Sequence, residues 1–335
     1  MDSLTHTVLG ACVGDAIAGK KLGKKAMLWG ALANNLPDID IITSVWMNQA
    51  DSLLAHRGFT HSILFALIVS PVMAWLFAKY NKNKEMLFKD WLLIFGTGNF
   101  IHIIIDSFTC YGTGWFEPFT HHRVSWNLIF VADPFFTIGF LVSAIALLIL
   151  RAKSHARRKW TNFAFILWGM YMCVAGYDKF IADGVFREHL AEKKVNYTSY
   201  FTTPSPLNSF LWYDVAKGDS GYYISYYSVF DKSKDLNFTF KPQNKDLLND
   251  YPSTPELQKL LRFSQEYYTI ENHNDTLYFS DIRFGQLGGW SNPEANFVFR
   301  YILNTGANND LVIQKGRFEG SMREGVTSLY RRICN

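Results

Sequence analysis

The sequence predicts a multi-pass α-helical membrane domain over residues 1–183, followed by a small α+β soluble domain with an antiparallel sheet over residues 184–335. Three observations predict this fold class. Apolar residues make up 49% of the chain, but they are concentrated in long runs within its first half. After about residue 183 the chain becomes polar and alternates apolar with polar residues. Lysine and arginine occupy every second connection between the apolar runs, as in multi-pass membrane proteins.

The apolar runs differ in how well they suit a membrane crossing. A spanning helix needs about 20 largely apolar residues. Residues 128–150 meet this requirement, and residues 62–79, 91–110 and 163–182 come close to it. Residues 4–18 are short, and residues 26–45 carry two asparagines and two aspartates. We therefore expect these two segments to be helices buried within the bundle, where polar groups find partners.

The distribution of basic residues predicts the orientation of the helices. The connections 20–25, 79–90 and 151–159 hold 13 lysines and arginines, whereas 49–60 and 111–127 hold only Arg57 and Arg123. Basic connections remain in the cytoplasm. The sequence therefore predicts a membrane protein whose N-terminus and C-terminal domain lie outside the cytoplasm.

The polar half is predicted to form strands, in which apolar and polar residues alternate, together with two helices. Residues 195–230 alternate in the manner of strands, and residues 276–284, 296–302 and 310–314 predict further strands. Residues 255–268 follow a proline start and predict an amphipathic helix, and residues 320–333 predict a closing helix. No residue pattern in this half indicates catalysis.

Composition excludes several classes of function. A net charge of +4, dispersed over the membrane turns, gives no basic face for nucleic acid. The four cysteines lack C-x-x-C spacing, which argues against a disulfide framework and a thiolate zinc site. No phosphate-binding glycine loop and no G-x-S-x-G element is present, so the sequence does not support nucleotide use or a serine nucleophile.

Histidines and carboxylates fall at one end of the predicted bundle, on its extracytoplasmic side. They are His6, Asp38, Asp40, His56, His61, His102 and Asp106. His102 and Asp106 are four residues apart, so a helix stacks them on one face, where they suit zinc and similar metals. The alternative is a hydrogen bond that ties helices together. Ionisable residues inside a membrane are costly and are usually functional, which favours the metal.

Two further motifs support this site. Pro37 disfavours helix at the preceding residue, and the resulting break would let Asp38 and Asp40 turn inward, although an aspartate at a helix end is also an ordinary cap. Residues 56–62 predict a loop entering a helix, and its Arg57 offers a fork suited to phosphate. The alternative is an interfacial basic loop. His121 and His122 are secondary candidates because adjacent loop histidines are often only exposed.

These motifs resemble a known family. The opening residues 1–6, the Pro-Asp-x-Asp element 37–40, the element 56–62, His102-x-x-x-Asp106 and residues 111–113 resemble the YdjM-like family of bacterial inner-membrane proteins, described as metal-dependent hydrolases and as LexA-binding. Residues 123–126, 131–134, 206–213 and 281–285 are also similar to it. That family is distantly similar to zinc-dependent phospholipases C and single-strand nucleases, whose second His-x-x-x-Asp/Glu pair and N-terminal tryptophan ligand are absent here.

The resemblance implies a membrane-bound hydrolase, most readily of phosphoesters, with one or two divalent ions such as zinc. The implied metal ligands are the seven histidines and aspartates already named. The candidate catalytic residues are Asp40, Arg57, Arg123 and Asp133, with the arginines holding a substrate phosphate and Asp133 orienting a ligand. The expected partners are membrane lipid and a small or lipid-derived phosphoester, and not nucleic acid. The alternatives are a non-catalytic scaffold or regulatory protein whose cluster is structural and, ranked last, a transporter.

Overall fold

The computed structural model describes residues 1–81, 83, 85–303, 313–315 and 322–334, and it divides into two compact units. The helical unit comprises Met1–Thr43, Ala55–Ala175 and Pro206–Asn208. The sheet unit comprises Ser44–Leu54, Gly176–Ser205 and the chain from Ser209 onward.

Helices build the first half of the chain. They are α1 (Ser3–Leu22), α2 (Lys25–Asn35), a 3₁₀ helix (Pro37–Val45), α3 (Gln49–Ala55), a 3₁₀ turn (Phe59–His61), α4 (Ile63–Tyr80), α5 (Phe88–Asp106), α6 (Pro134–Ile149) and α7 (Ala156–Glu192). Asp2 caps α1 by accepting a hydrogen bond from the Thr5 amide, and Ser62 caps α4 by accepting one from the Phe65 amide. These two helices therefore begin at a residue whose side chain satisfies one of the free N–H groups of the first turn.

Glycines allow α1 and α2 to pack with their backbones in contact. A methyl group added at Gly30 would overlap the carbonyl oxygen of Gly10 and the backbone of Gly14 on α1. At Gly98 of α5 an added methyl would meet Ala33 of α2. These small residues bring α1, α2 and α5 close enough for their polar side chains to meet at one end.

Two apolar cores are present among the described residues of the helical unit. One joins α1 to α6 and α7 through fully buried side chains such as Phe136, Phe140 and Leu147. The other joins α1 and α2 to α4 and α5 around Trp91 and Phe95.

A buried ion pair marks the end of α1 opposite to His6. Arg157 of α7 pairs with Asp15 of α1, donating from Nε at 3.2 Å, and its Nη1 donates to the carbonyl of Leu147 at 2.5 Å. The pair therefore ties α7 to α1 and α6 by bonds that satisfy both buried charges.

The predicted spans are confirmed only in part. Within the described residues, Ile63–Tyr80 and Phe88–Asp106 are long and apolar enough to cross a membrane, and Pro134–Ile149 is apolar but shorter. The run 128–150 becomes helical only at Pro134 because Asp133 caps the helix there. The run 163–182 lies inside the much longer α7. The helical N-terminal part is thus confirmed, while its multi-pass topology stays a prediction.

Two antiparallel sheets, where the sequence analysis expected one, form the sheet unit. The first contains β1 (Ser199–Pro204), β2 (Leu211–Lys217), β3 (Gly221–Ser228) and β4 (Thr239–Pro242) in sequential order. The second contains β5 (Tyr268–His273), β6 (Thr276–Gln286), β7 (Phe297–Leu303) and β8 (Ile313–Lys315), again in sequential order. The helices α8 (Pro255–Phe263) and α9 (Met322–Cys334) complete it. The helix predicted over 255–268 thus ends earlier, and part of the strand predicted over 310–314 lies outside the described residues.

Strand β2 explains why the second half needs two sheets. Its residues are buried on both faces, with Trp212 packing on the end of α7 and Tyr213 packing on the second sheet. The Tyr213 hydroxyl donates to the carbonyl of Ile282 at 3.0 Å, which links the two sheets directly. Burying each such aromatic ring stabilises the fold by about 1.5–3 kcal/mol.

Candidate metal centre

Four segments of the helical unit deliver histidines and carboxylates to one place. His6 comes from the first turns of α1, Asp38 and Asp40 from the 3₁₀ helix, His56 and His61 from the loop before α4, and His102 and Asp106 from the end of α5. His6, His61 and His102 are fully buried, and Asp106 is 1% exposed. The structure therefore brings together all seven side chains that the sequence analysis named as ligands.

The local break at Pro37 positions the two aspartates. Helix α2 ends at Asn35, and the chain resumes as a 3₁₀ helix from Pro37 to Val45. Asp40 is buried, whereas Asp38 keeps 14% of its side chain exposed. Proline has no backbone N–H to continue α2, so the change of axis follows directly from the sequence.

Four donor atoms form a compact group. His61 Nε2 lies 3.0 Å from His102 Nε2 and 3.4 Å from Asp38 Oδ1. Asp106 Oδ2 lies 3.4 Å from each of the two histidine Nε2 atoms, and His102 Nε2 lies 3.5 Å from Asp38 Oδ1. The two imidazole nitrogens and two carboxylate oxygens therefore surround one small volume and could hold a metal ion.

Hydrogen bonds fix which histidine nitrogens face this volume. His102 Nδ1 lies 2.5 Å from the backbone carbonyl of Asn34, which only accepts, so Nδ1 carries the proton. His61 Nδ1 lies 3.3 Å from Asp40 Oδ2, which favours a proton there as well. Both Nε2 atoms are then free to act as ligands, in the arrangement that metal-binding histidines commonly adopt.

Asp40 supports the site through several contacts. Its Oδ2 accepts hydrogen bonds from the Arg57 amide at 3.0 Å and from the Thr60 hydroxyl at 3.1 Å, while also facing His61. Its Oδ1 lies 3.3 Å from His56 Nδ1. The carboxylate therefore orients the loop before α4, and one oxygen remains directed at His56.

His6 contacts Asp106 and not the four-donor volume. Its Nε2 lies 3.1 Å from Asp106 Oδ1, the oxygen that the other histidines do not face. The Asn34 amide nitrogen lies 3.4 Å from His6 Nδ1 and donates to the His6 carbonyl at 2.7 Å, so Nε2 is the protonated nitrogen. The buried amino group of Met1 also contacts Asp106. His6 therefore contacts one of the predicted ligands, Asp106, and its own role as a ligand stays a prediction.

A second group of donors adjoins the first. Asp38, Asp40 and His56 each offer an atom within 4.8 Å of the others, and Asp38 belongs to both groups. The His56 side chain is 32% exposed, in contrast to the fully buried histidines of the first group.

Arg57 lies against the site in a backbone conformation that is rare for its residue type. Its φ of 57° is left-handed, a costly geometry for a residue with a side chain, and such strain clusters at functional sites. Its Nε lies 3.1 Å from Asp106 Oδ2, its Nη1 donates to the Thr109 hydroxyl at 2.7 Å, and its guanidinium covers the Tyr111 ring.

Of the two remaining candidate catalytic residues, Arg123 contacts a residue of the cluster and Asp133, in the part of the chain that the structure describes, does not. The guanidinium of Arg123 lies over the same Tyr111 ring, and its Nη2 donates to the His56 carbonyl at 3.0 Å. Asp133 instead caps α6, accepting from the amides of Phe135 and Phe136 and from the Tyr171 hydroxyl. Asp133 therefore caps α6 through Oδ1 and contacts α7 through Oδ2, and its role of orienting a ligand stays a prediction.

The secondary candidates lie on the surface. His121 and His122 are exposed, and His121 pairs with Glu117 at 2.9 Å.

The electrostatics of the cluster favour a positive charge. Burial lowers the pKa of His61, but the adjacent carboxylates, first that of Asp106, raise it to about 10. Burial raises the pKa of Asp40, but hydrogen bonds from His56 and His61 hold it below its usual range. The carboxylates of Asp38, Asp40 and Asp106 therefore hold a proton on His61 in the absence of a metal, and a divalent cation at the four donor atoms would displace that proton.

Sequence reasoning missed the residues that support the ligands. Asn34 hydrogen-bonds to His6 through its side-chain amide and to His102 through its backbone carbonyl. Thr60 hydrogen-bonds to Asp40, and Thr109 hydrogen-bonds to Arg57. Only the adjacent Asn34-Asn35 pair within an apolar segment could have indicated such a role, because buried amides need partners.

Within the described residues, the fold and the site define a helical protein with two candidate membrane spans and a buried histidine–aspartate cluster at one end of each. The chain belongs to the YdjM inner membrane protein family, which matches residues 1–182.

Two curated relatives are similar to this chain. The uncharacterized protein YfhP of Bacillus subtilis (strain 168) is 32% identical over 182 residues, covering 51% of this chain and 53% of that protein. The inner membrane protein YbcI of Escherichia coli (strain K12) is 28% identical over 133 residues, covering 38% of this chain and 75% of that protein. The chain thus matches about half the length of YfhP. No solved structure matches.

Proposed function

We propose that this protein is a membrane-bound, metal-dependent hydrolase of phosphoesters, with substrates that include lipid-derived ones. The observation that carries the proposal is the arrangement of the four donor atoms of Asp38, His61, His102 and Asp106. Each is directed at the same volume, and the two histidines are held in the tautomer that a ligand requires.

The donor set suits zinc. A tetrahedral zinc site with bonds of about 2.0–2.1 Å needs its ligand atoms about 3.3 Å apart. Five of the six separations among these four atoms lie between 3.0 and 3.5 Å. Two imidazole nitrogens with two carboxylate oxygens are also a normal zinc ligand set.

The chain supplies groups that suit an anionic substrate. When bound, the metal supplies a Lewis acid and lowers the pKa of a coordinated water. Arg57 and Arg123 converge on the Tyr111 ring beside His56, and guanidinium groups recognise phosphate oxygens through paired N–H donors. In this proposal the two arginines bind and orient the phosphoester.

The location of the cluster favours a substrate at the membrane surface. Helix α4 begins two residues after His61, and α5 ends at Asp106, so both candidate spans have an end at the cluster. Leu67, Ile68 and Trp75 on α4 are exposed apolar side chains, as expected for a surface that faces lipid. A lipid with a phosphoester headgroup would meet the cluster at headgroup level.

Elemental analysis of the purified full-length protein in detergent tests the proposal. We expect wild-type protein to retain zinc, His102→Ala to lose most of it, and His122→Ala, a surface control, to retain it. Hydrolysis of bis(p-nitrophenyl) phosphate and of phospholipid in mixed micelles should follow the metal content. Equally metal-free wild-type and His102→Ala proteins would reject the proposal. If His102→Ala lost stability but no metal, the cluster would be a structural element of a scaffold.

We also propose that the metal end and the sheet unit are extracytoplasmic, because the basic turns lie at the opposite ends of the helices. A topology reporter fused after residue 335 should be active only outside the cytoplasm. A reporter that is active in the cytoplasm would reverse the orientation.

A further inference from the structure

The cluster contains two groups of donor atoms, and they differ in how many coordination positions of a bound metal ion they would leave open. The first, Asp38, His61, His102 and Asp106, supplies four protein donors. The second, Asp38, Asp40 and His56, supplies three. Zinc sites with four protein ligands are typically structural, whereas catalytic sites have three protein ligands and one position for water or substrate.

Burial separates the two groups in the same way. In the first group the side chains of His61 and His102 have no exposure, and that of Asp106 has 1%. In the second group the side chain of His56 is 32% exposed. A ligand arriving from solvent can therefore reach the second group, while the first is enclosed by protein.

Asp38 is the member that both groups share. Its Oδ1 faces the Nε2 atoms of His61 and His102, and the same carboxylate also offers an oxygen within 4.8 Å of the donor atoms of Asp40 and His56. Asp40 likewise directs Oδ2 to the Arg57 amide and leaves Oδ1 3.3 Å from His56 Nδ1. This hydrogen-bonded separation of 3.3 Å is also close to the separation of two ligands on one ion, so a cation could replace the shared proton.

We propose that the protein binds two divalent cations bridged by Asp38: an enclosed ion that organises the helices, and an exchangeable ion on Asp38, Asp40 and His56 that carries water and substrate. The inference rests on the proposed function, and it assigns the hydrolytic role to the three-donor site. The guanidinium of Arg123 supports this assignment, because its Nη2 donates to the backbone carbonyl of His56 and so lies beside a residue of the three-donor group.

The test uses chelator-stripped, full-length protein in detergent, titrated with Co²⁺ and then with Zn²⁺. The variants are His56→Gln, which removes a donor of the second group alone, and His121→Gln as a control. Tetrahedral Co²⁺ absorbs visible light strongly, whereas five- and six-coordinate Co²⁺ absorbs weakly. We expect wild-type and His121→Gln proteins to bind about two equivalents, the first with intense absorption and the second with little.

His56→Gln should bind about one equivalent with the wild-type tetrahedral spectrum, which also shows that the enclosed site is folded. It should hydrolyse bis(p-nitrophenyl) phosphate no faster than metal-free protein. A wild-type capacity of about one equivalent, unchanged in His56→Gln, would overturn the inference and leave a one-ion hydrolase standing. Full hydrolysis by a His56→Gln protein that holds one ion would overturn the assigned roles. Wild-type protein that binds no metal would overturn the inference and the proposed function together.

Discussion

A substitution at His6 tests whether this residue binds the metal directly or orients one of the ligands. The sequence alone makes it a candidate ligand, but its Nε2 lies 3.1 Å from Asp106 Oδ1 and its ring stacks on His102 with centroids 3.8 Å apart. The substitution His6→Ala removes the hydrogen bond that orients the Asp106 carboxylate and the ring that supports His102. The substitution does not remove any of the four proposed donor atoms, which belong to Asp38, His61, His102 and Asp106.

The expected loss follows from this role. Removing a group that orients a metal ligand costs about 10- to 100-fold in metal affinity, or about 1.4–2.7 kcal/mol. Removing a donor itself, as in His102→Ala, should cost clearly more. His6→Gln retains an N–H donor near the position of Nε2 and should recover part of the loss.

Zinc affinity measured by competition with a chelating dye, on full-length protein in detergent, provides the assay. His122→Ala is the matched control because its side chain is exposed. If His6→Ala lost as much affinity as His102→Ala, then His6 would be a direct ligand. If His6→Ala had wild-type affinity, then the hydrogen bond to Asp106 would have no part in holding the metal.

Three further predictions concern stability, each measured by thermal unfolding of the full-length chain in detergent. Gly30→Ala should destabilise by about 1–3 kcal/mol because its methyl group overlaps the α1 backbone, whereas Gly96→Ala, with open space around it, should not destabilise; equal effects would contradict the proposed packing. Burial raises the pKa of Asp214 well above its usual value. The contribution of Asp214 to the free energy of unfolding should therefore fall as pH rises above about 4, and Asp214→Asn should be more stable than the wild-type protein at pH 7 but not at pH 4. A stability difference between the two proteins that does not change with pH would refute this. Asp15→Asn leaves the buried charge of Arg157 uncompensated and should cost about 3–5 kcal/mol, so a loss below about 1 kcal/mol would show that the pair is solvated.

The sequence was sufficient to predict which residues gather at the site. Periodicity placed His102 and Asp106 on one helix face, and Pro37 predicted the break that turns Asp38 and Asp40 inward. These are local properties, because proline and four-residue spacing act over one helical turn.

The roles of the residues were not predictable in the same way. Whether His6 faces a metal or Asp106 depends on the Asn34 amide, which lies 28 residues away in the chain. The helix cap formed by Asp133 uses the same carboxylate that would orient a ligand at the cluster. Which of the two roles this side chain takes depends on the conformation of the loop before α6. Sequence alone also could not predict the second sheet, because burial of β2 on both faces is a tertiary property.

The antiparallel pair α4 and α5 has a consequence for biogenesis. His61 precedes this hairpin and Asp106 closes it, with about 27 Å of helix in each arm. These two donors become neighbours only once α4 and α5 lie side by side. Under the proposed function, ion uptake is therefore a late step in maturation, and a chain whose α4–α5 hairpin fails to form should remain without its metal.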